Sequence, residues 1–217
     1  MNDFTYDGLL FRIPDTVYEP AEDSFMLADA ALTLKGKILE IGCGSGIVSL
    51  SNAKQNPTNR VLGVDINLDA VNCAKENAKL NKIKNCEFIE SDLFSNIDKN
   101  TNTKTKFDAI LFNPPYLPTD KSERINGNLN HAFDGGTDGR KVLDRFLDGF
   151  DDWLNPNGVL LLLQSTLNDP EKTKSILEEK GYLVEVLAQK SFFFEKLLLF
   201  KTKKHNTYCL NDDMNNH

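Results

Sequence analysis

Ile38-Leu39-Glu40-Ile41-Gly42-Cys43-Gly44-Ser45-Gly46 is the stretch on which the reading of this chain turns. An apolar, strand-like run passes directly into three alternating glycines, and a helical pattern begins near Ile47. Without a Cβ, glycine lets backbone N–H groups come close to a ligand. The helix behind the loop adds the partial positive charge of its N-terminus. The spacing is Gly-x-Gly-x-Gly, not the Gly-x-Gly-x-x-Gly of dinucleotide sites, so no pyrophosphate cradle is implied. A second strand, Arg60-Val61-Leu62-Gly63-Val64-Asp65, ends in an acid, where nucleotide-binding βαβ units meet ribose hydroxyls. Asn67 is suited to cap the next helix, with Val71, Ala74 and Ala78 inward. A third strand, Cys86-Glu87-Phe88-Ile89-Glu90, ends at Ser91-Asp92-Leu93-Phe94, and Asp92 is suited to accept the exocyclic amine of adenine. Each acid alone is more often a turn residue or a helix cap. It is the ordered set that points to a site.

The fourth strand, Phe107-Asp108-Ala109-Ile110-Leu111-Phe112, runs into Asn113-Pro114-Pro115-Tyr116. Open α/β sheets put their chemistry at such strand ends. The Asn113 side-chain oxygen can accept one N–H and the Pro114 carbonyl another. Two prolines stiffen the backbone, and Tyr116 offers a flat ring. The motif suits a planar amide or aromatic amine whose nitrogen faces an electrophile. Taken alone, it reads equally as a Pro-Pro turn.

The ordered set resembles the S-adenosylmethionine-dependent methyltransferases of the seven-strand type, and within them the HemK-type, or release-factor glutamine, methyltransferases. Val17-Tyr18-Glu19-Pro20-Ala21-Glu22-Asp23-Ser24 and Asp134-Gly135-Gly136-Thr137-Asp138-Gly139-Arg140 are similar to segments of its short eukaryotic and archaeal branch. The resemblance implies a three-layer α/β sheet, Rossmann-like, mostly parallel, with a reversed last strand. Helix–strand alternation by itself supports only the parallel part. The resemblance further implies S-adenosyl-L-methionine as cofactor. Glu40, Gly42, Gly44 and Gly46 would surround its methionine half with Ser24 nearby, Asp65 would take the ribose, and Asp92 and Leu93 the adenine. Asn113, Pro114 and Tyr116 would be catalytic, with Asn113 also beside the cofactor. The implied acceptor is the glutamine of the Gly-Gly-Gln loop of a class I release factor, and the implied partner a small zinc-binding activator subunit. That subunit would pair with the third strand, Cys86 to Glu90, which the topology puts at a sheet edge.

At 217 residues and 40% apolar, the chain suffices for one well-cored domain, expected over 1–204 with a disordered tail at 205–217. No signal peptide is expected and the longest aliphatic run, 159–163, is far too short to span a bilayer, so the expected location is cytoplasmic. Four cysteines, at 43, 73, 86 and 209, and three histidines, at 131, 205 and 217, show no metal-binding spacing. The net charge of −7 favours a protein substrate over nucleic acid.

Further along, a helix after Pro20 is expected to bury Ala21, Phe25, Ala28 and Leu32, and another to bury Leu143, Phe146, Leu147, Phe150 and Leu154. Residues 97–106 read as a polar loop. A longer one reaches Asp138 and reads either as a substrate lid, in which Arg124 and nearby Arg140 would hold the acceptor backbone, or as a passive surface loop. Strands are expected at 158–164, 183–188 and 192–200. Asp169-Pro170 should open a helix that Gly181 ends, and Phe192-Phe193-Phe194 reads as core and edge packing, Trp153 as helix packing.

The expected chemistry is direct methyl transfer to nitrogen, driven mainly by positioning, which can supply several of the roughly 7–11 kcal/mol available from proximity. Two other readings stay open: an adenine-N6 or protein lysine methyltransferase, and a non-catalytic cofactor-binding subunit.

Overall fold

A computed structural model describes residues 2–98, 105–116 and 135–204. The expected tail at 205–217, Arg124 and His131 in the long loop, and 99–104 of the shorter loop lie outside the described residues.

The chain opens with a hairpin of β1 (Asn2–Tyr6) and β2 (Leu9–Ile13), turned at Asp7 and Gly8, both at positive φ. Such turns match the twist of the strands they join. The composition of this segment showed its apolar residues but not its pairing. Leu9, Phe11 and Ile13 are buried from one side of β2, as strand alternation requires.

Helices and strands then alternate: α1 (Glu22–Ala31), β3 (Lys37–Ile41), α2 (Ile47–Gln55), β4 (Arg60–Asp65), α3 (Leu68–Leu80), β5 (Cys86–Glu90) and β6 (Phe107–Phe112). After them come α4 (Lys141–Gly149), β7 (Leu154–Ser165), α5 (Pro170–Glu179), β8 (Tyr182–Ser191) and β9 (Lys196–Lys204). Seven strands form one sheet in the order β5-β4-β3-β6-β7-β9-β8. The first five run parallel, and β9, last in the chain, lies antiparallel to both β7 and β8. The mostly parallel sheet with a reversed last strand is therefore the observed fold, and β5 stands at a sheet edge.

Both faces of the sheet are covered. Ile38, Leu111, Leu161 and Leu199 pack with α1, α2 and α3, while Leu39, Ile110, Phe112, Leu160 and Leu162 pack with Phe146, Phe150 and Leu177 on the other side. Burial on both faces is why these strands read as unbroken apolar runs. Asn67 and Asp169 cap α3 and α5, accepting N–H bonds from Asp69 and Lys172.

Three expectations are corrected. The buried stripe of α1 is Asp23, Ser24, Leu27, Ala28 and Ala31, whereas Ala21 is exposed and Phe25 and Leu32 are half-buried. Phe25 instead stacks on Tyr6 of the opening hairpin at 5.0 Å, which draws it away from the sheet. Strand β7 begins at Leu154, four residues early, because Leu154 already pairs with Phe107. Finally, Phe192-Phe193-Phe194 is neither core nor strand. Ser191 pairs with Lys196, so residues 192–195 must make the turn that reverses β9. Trp153 is buried and stacks on Phe94 at 5.5 Å, beneath α4.

Candidate active site

In the sheet order, β3 connects to β4 on one side and has β6 on its other side, with Ile41 beside Phe112. The chain leaves these two strands in opposite directions, and a crevice opens where it does. The glycine loop after β3 and Asn113-Pro114-Pro115-Tyr116 after β6 form its two lips. The cleft, about 320 Å³, is lined by Ser24, Glu40, Gly42, Gly44, Asp65, Asp92, Leu93, Asn113, Pro114 and Tyr116, together with Tyr18, Asp23 and Arg145. Gly46 stands apart from this lining. It caps α2 at φ 83°, and a Cβ there would sit 3.0 Å from that of Ala74, so its smallness serves helix packing.

At Gly44 (φ 52°) a Cβ would meet nothing within 4 Å, and its N–H donates to the Asp65 carboxylate at 2.9 Å. The other Asp65 oxygen accepts the Asn67 N–H at 2.9 Å. One carboxylate at the end of β4 thus shapes both the glycine loop and the entry to α3. Asp92 meets Arg145 of α4 at 2.8 Å, a half-exposed ion pair. Leu93 holds φ 50°, a strained value for a residue with a Cβ. Its carbonyl accepts the Ser91 hydroxyl at 2.8 Å.

Glu40 is buried, and its carboxylate accepts the Ser49 N–H at 2.9 Å and the Ser49 hydroxyl. Burial pushes its pKa up to about 8, with the charge of Asp65 adding to the rise and Ser49 opposing it.

The Asn113 side of the cleft is more tightly tied. The Asn113 amide nitrogen donates to Asp23 at 3.0 Å, while Asn113 Oδ1 is buried with no partner among the described residues. Asp23 also receives the Ser24 N–H at 2.6 Å and the hydroxyls of Ser24 and Tyr18, each at 3.2 Å. A carboxylate oxygen accepts, so the Asn113 NH₂ faces Asp23 and its oxygen turns away from that carboxylate. A buried acceptor left unmade is costly, and its natural complement is an N–H donor from a ligand. Asp23 was missed from the sequence. It stood in the quoted Tyr-Glu-Pro-Ala-Glu-Asp segment, but nothing local tied it to Asn113. Burial, reinforced by the charge of Asp23, pushes the phenols of Tyr18 and Tyr116 far up, so both stay neutral.

The Gly135-to-Arg140 loop braces this lip from behind. A Cβ on Gly139 would fall 2.4 Å from the Tyr116 carbonyl oxygen, and one on Gly135 2.9 Å from that of Pro115. Arg140 does not hold an acceptor, contrary to expectation. Its buried guanidinium donates to the carbonyls of Asn168 (2.6 Å) and Asp169 (2.9 Å), to Thr173 and to Asp144. These bonds pin the start of α4 to α5.

Among the described residues no three His, Cys, Asp or Glu side chains converge, and no helix is long and apolar enough to cross a membrane. Burial raises the thiols of Cys43 and Cys86, and that of Cys73 to about 11, so none is reactive near neutral pH.

The family profile described as "Methyltransferase small domain" matches residues 23–194. A protein of Methanocaldococcus jannaschii named "Putative protein N5-glutamine methyltransferase" is 46% identical over 194 residues, 89% of this chain and 94% of that one. Human methyltransferase HEMK2 is 36% identical over 172 residues, 76% of this chain and 79% of its own. Among solved structures, that of the E. cuniculi Mtq2–Trm112 complex, described as responsible for methylation of the eRF1 translation termination factor, aligns with a TM-score of 0.64. It is 29% identical and covers 88% of this chain and 99% of the matched one.

Proposed function

Because this chain belongs to the methyltransferase small-domain family, and within it to the HemK-type methyltransferases, we propose that it methylates the side-chain amide nitrogen of a protein glutamine, that of the Gly-Gly-Gln loop of a class I release factor. The observation that carries this reading is the buried, unpartnered Oδ1 of Asn113, held in one orientation by Asp23.

The cleft fits S-adenosylmethionine: it has open space at Gly44, a fixed acid at the end of β4 and an acidic inner wall. When bound, the cofactor supplies a methyl group on a positively charged sulfur. In this reading Gly42, Gly44, Glu40 and Ser24 hold its methionine half, Asp65 its ribose, and Asp92 and Leu93 its adenine. Gly46 shapes the loop without joining the wall.

The chain's own residues then act on the acceptor. An amide nitrogen is a weak nucleophile because its lone pair is delocalised into the carbonyl. Its two N–H groups donate to Asn113 Oδ1 and to the Pro114 carbonyl, which fixes the nitrogen's direction. Both prolines and the Gly135/Gly139 brace keep that geometry rigid. Tyr116 lies against the flat amide. The accepting oxygens stabilise positive charge as it grows on nitrogen. The surplus proton leaves to water once the nitrogen is alkylated. Residues 1–204 work as one catalytic domain in the cytoplasm.

A second chain completes the assembly. Strand β5 is paired only with β4 among the described residues, so its outer edge is free to take a strand from a small zinc-binding activator. Support comes from the two-chain relative described above.

The test is incubation with recombinant release factor and labelled cofactor, followed by peptide mass spectrometry. Label should sit on the glutamine. A release factor carrying asparagine instead should remain unlabelled, because its amide falls one methylene short. Label on adenine or lysine would sink the assignment.

A further inference from the structure

The turn between β8 and β9 is Phe192-Phe193-Phe194-Glu195, closed by the Phe192 N–H donating to the Glu195 carbonyl at 2.8 Å. The middle of such a turn favours Gly, Asn, Asp or Pro. Here it holds two phenylalanines, 92% and 86% exposed, with rings edge-to-face at 4.6 Å. Neither ring belongs to the core on either sheet face.

The tip is firmly anchored. The Glu195 carboxylate accepts the Ser165 hydroxyl at 2.5 Å, and the Lys196 N–H donates to Thr166 Oγ1 at 2.9 Å. Lys190 pairs with Glu22, the neighbour of Asp23, which holds Asn113. Ser165 ends β7, two strands from the glycine loop, on the same side of the sheet as Asn113. The charge of Glu195 reaches Tyr18 and Tyr116 on the cleft wall. The turn that carries the two rings is thus tied to the end of the sheet where Asn113 lies, through Ser165 and through the Lys190–Glu22 pair beside Asp23.

We propose that the Phe193–Phe194 tip is a docking point for the folded body of the acceptor protein, gripping an apolar patch next to the loop that enters the cleft. This inference rests on the reading of the acceptor as a protein glutamine. A protein whose loop reaches Asn113 has to lie over this end of the sheet. Rigid aromatic rings give much contact area, roughly 150–250 Å² each, for little lost side-chain entropy. An anionic membrane is a poor occupant, since the chain carries net charge −7 and the tip has no basic excess, Lys190 and Lys196 being offset by Glu22 and Glu195.

The variant is Phe193→Ser/Phe194→Ser in the full chain, purified with the second subunit proposed above. Two acceptors are compared: intact recombinant release factor, and a short peptide containing its Gly-Gly-Gln sequence. KM for the intact protein should rise about tenfold, equivalent to ~1.4 kcal/mol, with kcat within twofold. The peptide should be handled as by the unaltered enzyme, which also shows that the variant is folded. Phe193→Leu/Phe194→Leu should recover most of the loss. Unchanged KM for the intact protein, with the unaltered enzyme active on both acceptors, overturns the inference alone. So does an unchanged KM accompanied by loss of binding to phosphatidylglycerol-containing vesicles, which would assign the tip to lipid. An unaltered enzyme inert on both acceptors removes the glutamine reading and this inference with it.

Discussion

The two walls of the cleft are built on different physical terms. On the Asn113 wall, buried Asp23 gathers Tyr18, Ser24 and Asn113 into one network. On the wall proposed to hold adenosine, Asp92 and Arg145 form a half-exposed ion pair at 2.8 Å. Exposed pairs of that kind contribute about 0–1 kcal/mol, whereas a buried hydrogen bond to a charged group is worth roughly 1.5–3 kcal/mol. In the proposed reading the Asn113 wall is a rigid device for aiming one nitrogen, and the Asp92 wall a softer surface that can adjust to its ligand.

The largest expected effect falls on the rigid wall. Asn113→Ala should lower kcat roughly 100- to 1000-fold, by analogy with removal of one transition-state contact. Calorimetric titration should show cofactor affinity within about threefold of the unaltered chain. Near-full turnover in this variant would remove the proposed role of Asn113.

Asp23→Asn comes next. It keeps the shape but lets the Asn113 amide face either way, and kcat should fall about tenfold or more. Because Asp23 acts through Asn113, the loss should appear in kcat with little change in cofactor affinity. A pure loss of cofactor binding would merge the two walls into one.

Asp65→Ala should do the reverse. It releases the N–H groups of Gly44 and Asn67, and cofactor dissociation constants should rise about tenfold. Turnover at saturating cofactor should be nearly kept. A kcat loss matching that of Asn113→Ala would contradict the division of labour.

The smallest effect concerns Glu40, beneath the cleft. Its pKa is raised from 4.5 to about 8, so the folded state holds a proton that the unfolded chain has released across that interval. Stability from this group therefore falls as pH rises through the window and levels off above about 8. Glu40→Gln should have a flatter thermal midpoint between these limits than the unaltered chain, read by circular dichroism at several pH values. Parallel curves for the two proteins would mean that Glu40 is already ionised when folded.

Much of the site was legible because its signals are local. A glycine loop after an apolar strand, an acid closing the next strand and Asn-Pro-Pro-Tyr closing another are each contained in a few adjacent residues. Parallel sheets bring such strand ends together at one edge. Arg140 was misread because exposed and buried arginines look alike in a sequence. The phenylalanine run was misread because apolar composition cannot reveal that the register of β8 and β9 leaves it in a turn.

By itself the sequence determined the helix–strand alternation of a parallel α/β fold, the helix caps and the residues of the two lips, because periodicity and turn chemistry act over short stretches of chain. The tertiary structure alone decided which way Asn113 faces, through an aspartate 90 residues away. It also committed Arg140 to the junction of α4 and α5, withdrew Gly46 from the cleft wall and left two phenylalanines exposed in the β8–β9 turn. The reason is physical: whether a polar group is satisfied, or an apolar one buried, depends on partners that only packing supplies.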